Sequence, residues 1–338
     1  MRAKNTIMIK KRLVKIIAPV IGHFISLRLP SIIAIEATNR CFLDCVTCPI
    51  PNHMKRQKGD MQLSTFRTFL SQINWKVHKL SWAFGGEPLL NKNIWQMIKL
   101  AALKGIPSKV DTNGMLLNKY ENEIFNSNLR VLNIAFEGLS KENTSSFRQG
   151  FDHELVISNI KAISRRKNAI GAEYPVIILN YLVRKDNEDD IERTIELARG
   201  WKIDDIIFKS INISPSLWLS QSQMQYLGNK FLPVKRAELS RYKRQNGQWV
   251  PKENLSDYCR YLINSLTVTW EGKVLPCCFD FDASMVVGDI HNEDLKSIWR
   301  NERFSLIRKK VYSGSIQMCN NCTSVSLQKK VNIIKNES

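Results

Sequence analysis

The 338-residue sequence contains no unbroken apolar stretch of the roughly 20 residues that a membrane-spanning helix requires. Its most apolar N-terminal stretch, residues 8–29, is interrupted by Lys15, His23 and Arg28. No A-x-A-like cleavage site follows, so the stretch does not have the form of a secretory signal. We therefore expect a protein that is not exported and stays in the cytoplasm.

Residues 1–30 nevertheless stand apart as a basic segment in which lysine and arginine lie beside isoleucine and leucine. This pattern is typical of an amphipathic helix, which can lie on a membrane surface. A helix of this composition can equally pack on the body of the protein. A peripheral membrane contact and a packed helix therefore both stay open.

Acidic residues are scarce, because 31 Asp and Glu accompany 50 Lys and Arg, for a formal net charge of +19. This excess leaves nucleic acid, an anionic membrane surface and an acidic substrate open as partners. The basic residues are scattered without an unbroken run of five, as on an ordinary solvated surface. No RNA-binding signature such as an RRM or KH motif is present, so charge alone supports a nucleic-acid-modifying enzyme.

Internal repeats are also absent, and apolar (43%) and charged (24%) residues occur in ordinary globular proportions. From residue 31 to 210, short β-branched runs alternate with amphipathic stretches. The predicted strands are residues 31–35, 80–84, 108–111, 131–136, 176–183 and 205–208, and the predicted helices are residues 62–74, 92–104, 116–125, 153–167 and 188–200. This alternation predicts an α/β fold, a partial (β/α)6 barrel with functional residues at the carboxyl ends of parallel strands.

The pattern changes after residue 210. Prolines and a polar basic stretch over residues 211–255 predict a linker. Residues 256–326 then form a small C-terminal α+β domain, in which residues 266–275 are predicted to form a hairpin and residues 293–311 one helix. Residues 327–338 form a basic tail.

Eight cysteines without an export signal indicate a reducing compartment, where clustered thiols more often bind metal than form disulfides. Cys41, Cys45 and Cys48 form a C-x3-C-x2-C motif directly after the first predicted strand. Three thiolates can converge on one metal centre but leave one iron of a four-iron cluster open, which is the mark of a reactive site. Taken alone, the three cysteines also fit a zinc half-site.

The motif and its place after the first strand resemble the radical S-adenosylmethionine (SAM) superfamily. In that family the open iron binds S-adenosylmethionine, and electron transfer cleaves it to a 5′-deoxyadenosyl radical. The family's GGEP motif is matched by Gly85-Gly86-Glu87-Pro88 after the second strand, its TNG turn by Thr112-Asn113-Gly114 after the third, and its downstream RxG by Arg148-Gln149-Gly150. The resemblance assigns cofactor binding to Gly85, Gly86, Glu87, Pro88, Asn113, Glu137 and Arg148.

One of these assignments, Glu137, differs from the family pattern. The fourth strand ends in Phe136-Glu137-Gly138, where the family has SxDG, so Ala135 replaces a polar residue and Glu137 an aspartate. At the end of this strand the sequence therefore lacks the residues that the family pattern has. Glu87, by contrast, has the carboxylate that can receive the ammonium of the cofactor.

The second group of cysteines resembles the auxiliary-cluster extensions called SPASM and twitch domains. The resemblance implies one auxiliary 4Fe–4S cluster on Cys259, Cys277, Cys319 and Cys322, with Cys278 as a substitute for Cys277. A four-cysteine zinc ribbon has similar paired ligands and stays an alternative. Asp280 and Asp282 follow these ligands and are candidate catalytic proton acceptors.

The resemblance implies two 4Fe–4S clusters, S-adenosylmethionine and an external electron donor such as flavodoxin or ferredoxin. It predicts hydrogen abstraction from a substrate C–H bond, with the auxiliary cluster accepting an electron. The substrate is either a sugar-like small molecule that is dehydrogenated or a ribosomal peptide that is modified. A nucleic-acid-modifying radical enzyme and a non-catalytic zinc-binding scaffold are the alternatives.

Overall fold

The computed structural model describes residues 28–213, 219–252, 259–319, 322–323 and 329–332. Most of the predicted N-terminal basic segment and most of the predicted basic tail lie outside these residues. No helix in this part of the chain is long and apolar enough to span a membrane.

Six parallel strands form the centre of the structure and pair in the order β1-β3-β4-β5-β7-β8. The strands are β1 (Ile32–Ile35), β2 (Asp44–Cys45), β3 (Lys79–Trp82), β4 (Ser108–Thr112), β5 (Val131–Phe136), β6 (Arg148–Gln149), β7 (Val176–Val183), β8 (Asp205–Ser210), β9 (Tyr242–Gln245), β10 (Gln248–Pro251), β11 (Ser265–Val268), β12 (Lys273–Leu275), β13 (Gly288–Asp289) and β14 (Lys329–Asn332). The predicted partial (β/α)6 barrel is confirmed.

The described helices are α1 (Pro49–Asn52), α2 (Leu63–Gln72), α3 (Ile94–Leu103), α4 (Glu121–Asn126), α5 (Lys141–Phe147), α6 (His153–Ala169), α7 (Ile191–Gly200), α8 (Gln221–Phe231), α9 (Arg260–Asn264), α10 (Leu295–Arg300) and α11 (Glu302–Tyr312). The first seven lie in the connections between the six parallel strands, and the last four follow β8. Strands that follow one another in sheet order with right-handed crossovers place all their helices on the same side. The other face of the sheet therefore forms the interior of the partial barrel.

The C-terminal hairpin is continuous with this sheet. Strand β11 pairs in parallel with β1, and β12 and β13 extend the same edge in antiparallel fashion. At the opposite edge β14 pairs with β8. The C-terminal domain thus lies directly against the first strand of the barrel, beside the cysteine motif.

The stretch predicted as a linker is folded where the structure describes it. It contains α8 and the β9–β10 hairpin, which share a small apolar core. Met224, Leu227 and Phe231 lie at helical spacing and bury one face of α8 in this core. This segment is therefore a compact unit on the barrel rather than an extended connection.

The single helix predicted over residues 293–311 is wrong, because the chain breaks at Asn301 into α10 and α11. The Asn301 side chain accepts a hydrogen bond from the Phe304 amide at 2.8 Å and caps α11. Its amide group also donates to the Val287 carbonyl at 2.8 Å. The capping asparagine therefore ends one helix, starts the next and anchors both to the loop before β13.

Candidate functional site

The first three cysteines lie on the loop that leaves β1. Cys45 belongs to β2, which pairs with β6 so that Cys45 lies opposite Arg148, and Cys48 immediately precedes α1. All three thiols are partly exposed, and each acts electrostatically on at least one of the others. Burial raises the pKa of Cys48 to about 12. The loop after β1, the β2–β6 pair and the start of α1 thus bring the three thiols close together.

Backbone amides point at these sulfur atoms, as expected where a sulfur is to carry negative charge. The Leu43 amide donates to Cys41 Sγ at 3.5 Å, and the Ile50 amide bonds Cys48. In the described ranges, no three His, Cys, Asp or Glu side chains converge closely enough for a single metal ion. Each thiolate of a 4Fe–4S cluster binds a different iron, so a ligand set for a cluster is wider than one for a single ion.

The GGEP loop packs directly on this cysteine loop. Gly86 has a φ of +60°, and a Cβ on it would come within 2.5 Å of the Thr38 carbonyl. The Glu87 amide donates to the Arg40 carbonyl at 2.8 Å. The second glycine is therefore required so that the two loops can approach each other.

The Glu87 carboxylate is fully buried and joins the GGEP loop to the TNG turn. It accepts hydrogen bonds from Thr112 Oγ1 at 2.7 Å, the Asn113 amide at 2.8 Å and the Leu89 amide at 3.1 Å. Burial raises the pKa of Glu87 to about 6, and these hydrogen bonds oppose that rise. A carboxylate has about four acceptor positions, so one is left for a further donor.

Glu137, at the end of β5, is held between two arginines. Arg148 Nε donates to its Oε1 at 2.6 Å, and the buried Arg184 Nη1 donates to its Oε2 at 2.7 Å. Arg148 also reaches Cys45 Sγ at 3.9 Å. The structure thus engages both oxygens of Glu137 within the protein and places Arg148 beside the cysteines. Arg184 has no sequence signal that marks it for this pairing.

A second buried ion pair, which sequence reasoning missed, joins the barrel to the C-terminal domain. Arg56 forms a two-pronged pair with Glu36, with Nη1 3.1 Å from Oε2, and its Nε donates to the Phe281 carbonyl at 2.6 Å. The Trp270 amide donates to Glu36 at 3.1 Å. The Phe281 ring stacks on Phe84, next to the GGEP motif, at 5.5 Å between centroids.

The second group of cysteines lines one enclosed, mainly apolar cavity in the C-terminal domain. Its wall contains Cys259, Cys277, Cys319 and Cys322 together with Tyr261 and Met285. The Phe279 amide donates to Cys277 Sγ at 3.4 Å. Four thiols around a cavity bounded by apolar side chains fit a fully coordinated cluster.

Cys278 does not line this cavity, although it is adjacent in sequence to Cys277. Its thiol instead interacts with the Tyr261 hydroxyl and with Cys277. The geometry therefore favours Cys277 over Cys278 as the fourth thiolate.

The two aspartates considered as proton acceptors have structural contacts. Asp280 is fully buried, and its carboxylate accepts hydrogen bonds from the Ser284 amide and hydroxyl and from the Met285 amide at 2.7–2.8 Å. Asp282 accepts from the Lys55 amide at 2.6 Å. Asp280 thus closes the loop after Cys277 and Cys278, and Asp282 joins that loop to the segment after α1.

Two family models match the chain, in the same order as the two cysteine sites. The model described as the radical SAM superfamily matches residues 35–198. The model described as an iron–sulfur cluster-binding domain, SPASM, matches residues 259–323. Three of the family-matched cysteines therefore fall in the first region and five in the second.

Among similar proteins is the S-adenosyl-L-methionine-dependent 2-deoxy-scyllo-inosamine dehydrogenase of Niallia circulans. It is 24% identical over 311 residues, covering 89% of this chain and 96% of that protein. The crystal structure of BtrN in complex with AdoMet and 2-DOIA has a TM-score of 0.55 at 19% identity, covering 89% of this chain and 95% of that one.

A structure of SuiB from Streptococcus suis, bound to precursor peptide SuiA, has a TM-score of 0.59 at 14% identity. The match covers 85% of this chain but 66% of that one. These structural similarities show a shared fold.

Proposed function

Because the chain belongs to the radical SAM superfamily and carries a C-terminal SPASM domain, we propose that it dehydrogenates a hydroxyl-bearing, sugar-like small molecule. The family assignment implies 4Fe–4S clusters and S-adenosylmethionine as cofactors. The observation that carries the proposal is the cavity lined by four cysteines. Such a site leaves no open iron for S-adenosylmethionine and suits electron transfer.

We assign the reactive cluster to Cys41, Cys45 and Cys48 and the auxiliary cluster to Cys259, Cys277, Cys319 and Cys322. A cluster and S-adenosylmethionine held at the first of these sites would supply a 5′-deoxyadenosyl radical, with the electron provided by an external donor of the flavodoxin or ferredoxin type. Glu87 holds the ammonium of the cofactor, and Arg148 balances negative charge beside Cys45.

Electron balance explains why a second centre is needed. Oxidation of H–C–OH to C=O removes one hydrogen atom from carbon, one proton from oxygen and one further electron. The hydrogen atom goes to the 5′-deoxyadenosyl group and the proton to a base or water. The remaining electron needs an acceptor, and the four-cysteine site provides one when it is occupied.

A small molecule is favoured over a peptide because the curated dehydrogenase matches this chain over nearly its whole length. Only 66% of the peptide-bound SuiB chain is matched, so about one third of that chain lies outside the match. A second peptide-bound structure, native anSMEcpe with bound AdoMet and Cp18Cys peptide, matches over 90% of this chain and 93% of that one, but at 15% identity it shares the fold alone. The sequence similarity to the dehydrogenase is therefore what favours a small molecule.

The direct test uses the anaerobically reconstituted protein with S-adenosylmethionine, a reductant and a panel of cyclitols and hexoses, including 2-deoxy-scyllo-inosamine. We expect a product that has lost two hydrogen atoms from one member of the panel. With that substrate deuterated on the reacting carbon, deuterium should appear in 5′-deoxyadenosine. Deuterium transfer from a peptide, with none from any polyol, would contradict the proposal.

Replacement of Cys319 and Cys322 together by alanine should lower the iron content from about eight to about four atoms per chain. Uncoupled cleavage of S-adenosylmethionine should persist, whereas formation of the oxidised product should stop. Iron analysis, Mössbauer spectroscopy and product assays measure these outcomes separately. A wild-type protein that holds only four irons, or zinc at the C-terminal site, would disprove the auxiliary assignment.

Substitution Glu87→Gln should weaken binding of S-adenosylmethionine by about ten- to a hundredfold, because a charge-assisted hydrogen bond contributes roughly 1.5–3 kcal/mol. Glutamine retains the shape of the side chain and can still accept from Thr112. Calorimetric titration of the reconstituted variant measures the dissociation constant. An unchanged constant would show that Glu87 serves only to join the two loops.

A further inference from the structure

The interior face of the barrel carries polar side chains that the cluster sites do not use. Side chains alternate between the two faces of a strand, so residues two apart share a face. The outward set on β4, β5, β7 and β8 is apolar and buried against the helices, as with Val110, Ile134, Leu179 and Phe208. The inward set includes Lys109, Asp111, Asn133, Asn180 and Lys209.

The register brings these inward residues together across neighbouring strands. Asp111 lies opposite Asn133, and Ala135, two residues further along β5, lies opposite Asn180. Lys209 lies one strand further, opposite Leu182 on β7. Four consecutive parallel strands thus contribute polar groups to one continuous inner surface.

Three of these groups have a buried acceptor oxygen that receives no hydrogen bond from the described part of the chain. Lys109 Nζ pairs with Asp111 Oδ1 at 2.8 Å, and the Asn133 amide group donates to the same oxygen. Among the described residues, this leaves Asp111 Oδ2, Asn133 Oδ1 and Asn180 Oδ1 buried with no hydrogen-bond partner. The orientation of Asn133 is fixed, since a flipped amide would bring two acceptors together.

Lys209 supplies a donor on the same surface. In the part of the chain that the structure describes, no side chain or carbonyl hydrogen-bonds or ion-pairs with its ammonium. Burial lowers the pKa of Lys209 to about 8, Arg241 adds to this effect, and Asp111 opposes it. The ammonium therefore lies within electrostatic range of Asp111 across the interior.

Unpartnered buried acceptors are destabilising unless a ligand donates to them. Three acceptors and one ammonium complement a ligand with several hydroxyl groups, because each hydroxyl both donates and accepts. A hydrocarbon or aromatic ligand would leave all four groups unsatisfied. The surface also lies close to the reactive centre, since Arg148, which reaches Cys45, acts on Lys209 as well.

We propose that Asp111, Asn133, Asn180 and Lys209 form the substrate subsite, and that it binds the hydroxyl groups of a polyhydroxylated ring. This inference rests on the proposed dehydrogenase function and adds which residues select the substrate. The first three groups accept hydrogen bonds from the ring hydroxyls, and Lys209 donates to one of their oxygens.

The test is anaerobic calorimetric titration of the reconstituted, S-adenosylmethionine-loaded protein with 2-deoxy-scyllo-inosamine and with cyclitols and hexoses. Asp111→Asn and Asn180→Leu should each weaken binding of the ligand that the wild type prefers. We expect the dissociation constant for this ligand to rise about ten- to hundredfold in Asp111→Asn, which loses a charge, and by less in Asn180→Leu, which loses an amide. Uncoupled cleavage of S-adenosylmethionine and iron content should stay at wild-type levels in both variants.

Asp204→Asn is the matched control, because Asp204 forms a similar lysine pair, with Lys167 at 2.7 Å, outside this surface. It should leave polyol binding unchanged. If the wild type binds and oxidises a polyol but Asp111→Asn and Asn180→Leu bind it equally well, the subsite is wrong and the proposed function stands. If the wild type binds no polyol of the panel, both are overturned.

Discussion

Replacement of Cys41, Cys45 and Cys48 together by alanine is expected to abolish reductive cleavage of S-adenosylmethionine. The three thiols are the protein groups that the loop after β1, the β2–β6 bridge and the start of α1 gather beside Arg148. The variant should still bind about four irons, because the C-terminal cavity keeps its own four cysteines. Chromatographic detection of 5′-deoxyadenosine and iron analysis measure the two outcomes.

Cys278→Ala is the control for this experiment, since Cys278 is a partly exposed thiol that does not line the cavity. It should retain about eight irons and full cleavage activity. If the triple variant still cleaves S-adenosylmethionine, the assignment of the reactive centre to these three cysteines is wrong. Loss of four irons in Cys278→Ala would instead move the fourth auxiliary ligand from Cys277 to Cys278.

The arrangement of the barrel could be predicted because its signals are local. Most strands of the core are short apolar runs, several with β-branched residues, and most of the longer connecting helices show their own apolar periodicity. The cysteine spacings are equally local, as is the GGEP loop. By contrast, the parallel pairing of β11 with β1 joins residues more than 200 positions apart, and no local pattern specifies it.

The partners of the charged site residues could not be predicted either, because they too are distant in sequence. Glu137 had the position of a cofactor contact, but Arg184, distant in sequence and fully buried, takes one of its oxygens. The contact depends on β5 and β7 lying side by side. Asp280 is different, because its partners Ser284 and Met285 lie four and five residues further along the same loop, so its contacts are local.

Arg56 illustrates what such distant pairing contributes. It lies after α1 and has no motif around it, yet it contacts Glu36 at the end of β1 and the Phe281 carbonyl in the C-terminal domain. Its side chain is 9% exposed and that of Glu36 is fully buried. Arg56 therefore connects the loop of the reactive centre to the loop that follows Cys277 and Cys278.

Substitution Arg56→Met should lower the free energy of unfolding by about 3–5 kcal/mol, because it leaves the Glu36 carboxylate buried without its counter-charge. Anaerobic urea unfolding of the reconstituted protein, followed by tryptophan fluorescence, measures the loss. Arg40→Met is the control, since the Arg40–Asp60 pair is largely exposed and should contribute at most about 1 kcal/mol. A second substitution, Glu36→Leu, should recover part of the loss.

The loss in Arg56→Met should also depend on pH. Burial raises the pKa of Glu36, and Arg56 opposes this in the wild type. Without Arg56 the folded state holds the Glu36 proton more tightly than the unfolded state does, so the stability of the variant falls as pH rises above the ordinary carboxyl pKa. The deficit relative to wild type should therefore be smaller at pH ~5 than at pH ~8. A deficit that does not change with pH would show that Arg56 acts through packing and its bond to Phe281 rather than through the charge of Glu36.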